Sequence, residues 1–186
     1  MKTRSKLPFF LSILAIAGFS LSFSGCQKIA VTFPNTPVIT YKSATVTKTI
    51  DSAGVVDYKL QLFISFTDGN GNIGLGPSDT TGLFRPTSPY YYNLWVGYYE
   101  KVNDSFIHVG HSYPFGNDTI NYNGRIPVIT PEGKLKAITG DIEYDIDFGS
   151  STKSMDPSNT IRFDFILLDK ALDKSNKVIS LPIVLP

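Results

Sequence analysis

The chain has 186 residues, of which 42% are hydrophobic, 13% aromatic and only 18% charged, with a formal charge of +1. About a quarter of an average globular chain is charged, so this one is charge-poor and aromatic-rich, yet too apolar to be disordered or fibrous. The near-neutral balance excludes the basic stripe that a nucleic-acid partner needs, and the length suits one domain.

The chain opens on a targeting segment. Lys2, Arg4 and Lys6 make a positive n-region, and 7–23 is an apolar stretch interrupted by Pro8, serines and Gly18. That is the build of a secretory signal rather than of a spanning helix. It runs into Phe23-Ser24-Gly25-Cys26, which holds the chain's single cysteine. A lone cysteine makes no internal disulfide, and a free thiol is a liability in an oxidising compartment. The four residues resemble the lipobox of bacterial lipoproteins, with Phe23 where leucine is more usual. The resemblance implies a signal peptide over 1–25 and anchorage in the lipid bilayer through acylated Cys26. Several acyl chains, each contributing about 0.8 kcal/mol per buried CH₂, hold where one alone is marginal. Removing 1–25 leaves 14 basic against 16 acidic residues, so lipid rather than charge must do the holding. Gln27, Lys28 and Ile29 follow the cysteine without an acidic cluster. The expected location is the cell envelope at the outer membrane, on its periplasmic face rather than the cell surface.

Residues 26–35 read as the lipidated cysteine and a short tether of about 17 Å, and 36–186 as one domain. From there the dominant period is two. Tyr58, Leu60, Leu62, Ile64 and Phe66 alternate with polar residues, as do Ile142, Tyr144, Ile146 and Phe148. Ile161, Phe163, Phe165 and Leu167 alternate first with Arg162 and Asp164, then with apolar Ile166 and Leu168, which marks a more deeply buried strand. Further strands are expected over 38–50, 92–102, 106–111, 125–129 and 178–184, the last an edge because of Pro182. Asn103-Asp104 is a tight link. With no helical periodicity, the fold class is all-β: an antiparallel β-sandwich of immunoglobulin or fibronectin type III character with about seven to nine strands.

Four patterns could carry chemistry. Asp68, Asn70 and Asn72 stand at alternate positions of a glycine-rich loop, with Asp79 at position 12, an oxygen-donor spacing that suits calcium. Ile73 takes the place of a glycine and Asp79 that of a bidentate glutamate. Asp68-Gly69 and Asn70-Gly71 are equally hairpin signals, so a weakly bound calcium and a plain turn both stand. No other cofactor is expected. Asp141, Glu143, Asp145 and Asp147 lie about 6.6 Å apart on one strand face, which reads as a solvated face that discourages edge pairing, neutralised by Lys134, Lys136 or Arg162. The connection 76–92 is long and carries Phe84, Arg85, Tyr90, Tyr91 and Tyr92, residues suited to binding a partner or a glycan. His108 and His111 fall on opposite faces of a strand, and 110–114 departs from a nucleophile elbow at Pro114. An enzyme is therefore not expected; it would have to be a carboxylate-based hydrolase.

The stretches 64–74 and 169–177, together with Phe23–Cys26, are similar to segments of uncharacterised outer-membrane lipoproteins of gram-negative bacteria. The resemblance implies an exported β-sandwich lipoprotein and brings no catalytic residues. The expected function is that of a non-enzymatic binding or accessory module for an envelope protein partner or a cell-envelope polymer, with carbohydrate binding as the alternative.

Overall fold

Alternating apolar and polar side chains build two antiparallel sheets whose apolar faces meet. The computed structural model describes residues 32–109, 121–130, 136–149 and 159–186, all in one unit from Thr32 to Pro186. Cys26 and its lipobox, the segment 110–114 and Lys134 lie outside the described residues. The strands are β1 (Val38–Ile50), β2 (Val56–Asp68), β3 (Leu94–Val102), β4 (Ser105–His108), β5 (Ile138–Gly149), β6 (Thr160–Leu167), β7 (Val178–Ile179) and β8 (Ile183–Val184). One sheet runs β1-β2-β5 and the other β4-β3-β6-β7, with β8 also on β6. Together they make a β-sandwich, with the edge beside β6 divided between β7 and β8.

Leu60, Leu62, Ile64 and Phe66 of β2 pack with Ile142 and Ile146 of β5 against Leu94, Val96 and Tyr98 of β3 and Ile161, Phe163, Phe165 and Leu167 of β6. β1 joins them by a correction of register. Tyr41 pairs with Ile64 but Ser43 with Phe63, which leaves Lys42 as a bulge. Ile39 and Tyr41 face the core before it, and Ala44 and Val46 after it. Without the extra residue every side chain beyond would point the wrong way.

The strand expected over 125–129 does not form. It meets its neighbours only through single bridges, Leu75–Pro127 and Leu94–Gly124, because Pro127 has no N–H to extend a ladder. Buried Asn93 supports it instead, accepting from Ile126 N–H (2.6 Å) and donating to Ile126 C=O (3.1 Å). The expected edge strand over 178–184 is split at Ser180 and Pro182. Ser180 Oγ accepts from Phe163 N–H at 3.0 Å, doing for β6 what a continuous strand would have done. Asn103 (φ 46°) and Asp104 (φ 65°) form the tight β3–β4 link, both in the left-handed region that such two-residue turns require. The tether ends earlier than expected: Gly69 N–H donates to Pro34 C=O at 2.8 Å, so 33–34 are docked on the loop after β2.

Candidate functional site

A concave feature lies between β1, at the edge of one sheet, and the segment around β8 of the other. A groove of about 540 Å³ is lined by Tyr41, Ala44 and Val46 of β1 and by Leu181, Pro182 and Val184 around β8. Leu181 and Val184 are 70% and 67% exposed. At one end Lys48 Nζ and the Tyr58 hydroxyl both donate to Pro186 C=O, at 2.9 and 3.3 Å. At the start of β1, Asn176 donates to Ile39 C=O and accepts from Ile39 N–H, both at 2.9 Å, in the manner of a neighbouring strand. The edge of β1 is thus already paired by a peptide-like amide at one point, and past the Lys42 bulge the same edge faces the groove. Volume and lining suit an extended chain, because strand edges offer backbone groups and the walls offer apolar contact.

The connection 76–92 is a packed layer. It turns through two short 3₁₀ segments, Gly82–Phe84 and Pro89–Tyr91. Arg125 donates to the carbonyls of Tyr91 (2.6 Å), Gly76 (3.0 Å) and Asp79 (2.6 Å), and its guanidinium stands 4.8 Å over the Tyr91 ring. Tyr91 meets Tyr92 edge-on at 5.0 Å, and Tyr90 stacks at 6.1 Å on Trp95. Phe84 is half-buried and Arg85 exposed, its Nε donating to Thr87 Oγ1 at 3.1 Å. Of the five residues singled out for binding, Arg85 is the only one classed as exposed; the other four are partly buried, and the three tyrosines are partly occupied by packing.

Beyond Trp95 the outer face of β3 carries a charged network. Gly97 leaves space into which Asp164 folds, and a side chain there would collide with that carboxylate. Asp164 accepts from Gly97 N–H (3.1 Å), the Tyr99 hydroxyl (2.7 Å) and Lys177 (2.9 Å). Burial, reinforced by that hydrogen bond to a carboxylate, pushes the Tyr99 hydroxyl up to about 12. His108 meets Tyr99 edge-on at 5.0 Å, and Arg162 stacks over Tyr99 and Phe106. Arg162 therefore lies on the other sheet from the carboxylates it was expected to neutralise. Those carboxylates are served by β1 and β2: Lys42 pairs with Asp141 at 2.9 Å and Lys59 with Asp145 at 2.8 Å, while Gln61 donates to Glu143. Both pairs are exposed, so water screens them and they add little to stability.

The loop after β2 is gripped from four sides: by Pro34, by Thr130 Oγ1 donating to Gly71 C=O (2.9 Å), by Lys136, and by Lys170 N–H donating to Asn72 C=O (3.1 Å). Gly71 (φ 68°) and Gly74 (φ 107°) have positive φ and lie against the backbone of Lys136 and Pro127, so no other residue fits. Of the four expected calcium donors, Asp68 and Asn72 point inward, while Asn70 Oδ1 accepts from Asn72 N–H at 3.3 Å. Asp79 is engaged elsewhere, accepting from Lys170 (2.9 Å) and from Gly76 N–H (2.8 Å). Lys170 first, and the Gly76 N–H with it, hold its carboxyl below the usual range. The carboxylate whose charge acts on Asp68 is Asp169, which no spacing rule could find: it lies about a hundred residues away and is brought near by the Ile73–Asp169 bridge and the Lys170 N–H to Asn72 C=O bond.

Comparison with protein-family models, with curated proteins and with solved structures finds no match.

Proposed function

We propose that this chain is an exported lipoprotein, held at the outer membrane through acylated Cys26, that acts without catalysis as a binding module for an extended segment of an envelope protein. The observation that carries this reading is the groove between β1 and β8, where exposed Leu181 and Val184 face a strand edge. An incoming strand would add main-chain hydrogen bonds along β1 and place alternate side chains on the apolar wall. A short tether would keep the groove near the bilayer and so near membrane-bound partners.

The test is photo-crosslinking in living cells, with a photoreactive residue in place of Val184 or, as comparison, of Leu83 in the connection 76–92. A discrete adduct from position 184 and not from 83 is the expected result. An adduct from position 83 alone would move the binding surface to Phe84, Arg85 and Tyr90–Tyr92. Bare protein at both positions would remove the protein-partner reading and leave carbohydrate binding to be tested on a glycan array.

A further inference from the structure

Two carboxylates are buried together at the end of the sandwich where the tether docks. Asp68 is 0% and Asp169 1% exposed, and each has one oxygen, Asp68 Oδ1 and Asp169 Oδ2, that is buried without a hydrogen-bond partner. Asn72 Oδ1 is a third such atom. The other oxygens of the two carboxylates are used for building: Asp68 Oδ2 accepts from Asn72 N–H at 3.0 Å and Asp169 Oδ1 from Asp173 N–H at 2.8 Å. Those bonds fix both carboxylates by turns of their own loops, and the Ile73–Asp169 bridge and the Lys170 N–H to Asn72 C=O bond lock the two loops together.

An ionised carboxylate accepts hydrogen bonds and cannot donate one, so two of them in a dry place need something positive between them. Among the described residues, Lys170 pairs with Asp79 at 2.9 Å, and Lys174 lies 4.8 Å over the Trp95 ring, so both are directed elsewhere. Three oxygen atoms with a summed charge of −2, set in irregular loop backbone, match a hard divalent cation that tolerates variable geometry. Magnesium demands near-ideal octahedral placement and keeps its waters, which suits a closed loop pair less well.

We propose that Asp68 Oδ1, Asn72 Oδ1 and Asp169 Oδ2 bind a calcium ion that staples the loop after β2 to the turn after β6. Backbone carbonyls or water complete the coordination. With only two carboxylates the dissociation constant falls in the range of extracellular modules, about 10⁻⁴–10⁻³ M. Because Pro34 is bonded to the same loop, the ion also stiffens the point where the tether meets the domain.

The test is thermal unfolding and titration calorimetry of the full-length protein in detergent micelles, with calcium chloride, magnesium chloride or chelator. In 10 mM calcium the wild type should melt about 3–8 °C higher than in chelator. Asp169→Asn should abolish that shift, yet melt in chelator no lower than the wild type, because it removes one of two facing charges. Asp79→Asn should keep the full calcium shift. Coincident wild-type curves with no calorimetric heat, an equal shift in magnesium, or a shift that survives in Asp169→Asn would each overturn the proposal. Coincident curves would instead mean that Asp68 and Asp169 share a proton.

Discussion

Arg125 holds Tyr91 twice over: its guanidinium stands 4.8 Å above the ring, and its Nη1 donates to the Tyr91 carbonyl at 2.6 Å. Two further bonds, to the carbonyls of Gly76 and Asp79, make this one side chain the clasp of a seventeen-residue connection, 76–92. A planar fork can serve three carbonyls and a ring at once; an ammonium cannot.

Arg125→Lys should therefore behave almost as badly as Arg125→Ala. Hydrogen bonds to a charged group contribute about 1.5–3 kcal/mol each, and the half-buried cation–π contact about 1. Because losses at one residue do not simply add, we expect about 2–4 kcal/mol in all, measured by chemical denaturation. Limited proteolysis should show new cleavage confined to 76–92. A variant that keeps wild-type stability and protease resistance would show that the connection holds itself.

The strands with clean alternation were legible: β2, β5 and β6 are where the period of two puts them, and Asn103-Asp104 turns as its composition demands. What alternation could not show was where side chains stand in for backbone. Asn93 replaces a strand partner for Ile126, and Ser175 and Ser180 accept the N–H groups of Leu167 and Phe163 at 2.9 and 3.0 Å, so the segments beside them look strand-like yet form only two-residue ladders or single bridges. The Lys42 bulge was hidden for a different reason: 38–50 reads as one strand, and the extra residue shows only in its pairing with β2. At the loop after β2 the residues Asp68 and Asn72, whose buried oxygens lack partners, stand close in sequence, but the nearness of Asp169 depends on a tertiary contact that no local spacing shows.

Tyr99 gives the outer network a pH signature. Its hydroxyl is raised to about 12, chiefly by burial and then by the bond to Asp164. Between the ordinary tyrosine value near 10 and that value the folded state keeps a proton that the unfolded chain has lost. Its contribution to stability is therefore complete below about pH 10 and is lost as pH rises through 12. Tyr99→Phe should cost about 1 kcal/mol at pH 7, where the bond to Asp164 is broken, and should lose less of its remaining stability than the wild type does between pH 10 and 12. Other buried tyrosines titrate in both proteins and cancel in the difference. Parallel wild-type and variant curves through that range would count against the pairing.

The tether gives a test that separates anchorage from folding. The docking of 33–34 beside Gly69 leaves six residues, 27–32, between Cys26 and the docked segment. In the lipoprotein proposed above, Cys26→Ser would remove the acyl chains and leave the core residues around Leu62, Phe163 and Phe165 unchanged in sequence. The variant should move from the detergent phase to the aqueous phase in phase partitioning, with a melting temperature within about 1 °C of the wild type, since every residue of the packed core is kept. The formal charge of the chain after residue 25 is slightly negative, so no electrostatic hold on anionic lipid remains to retain it. Retention in the detergent phase would mean that the apolar segment 7–23 stays attached and anchors the protein itself, and the lipobox reading would fall.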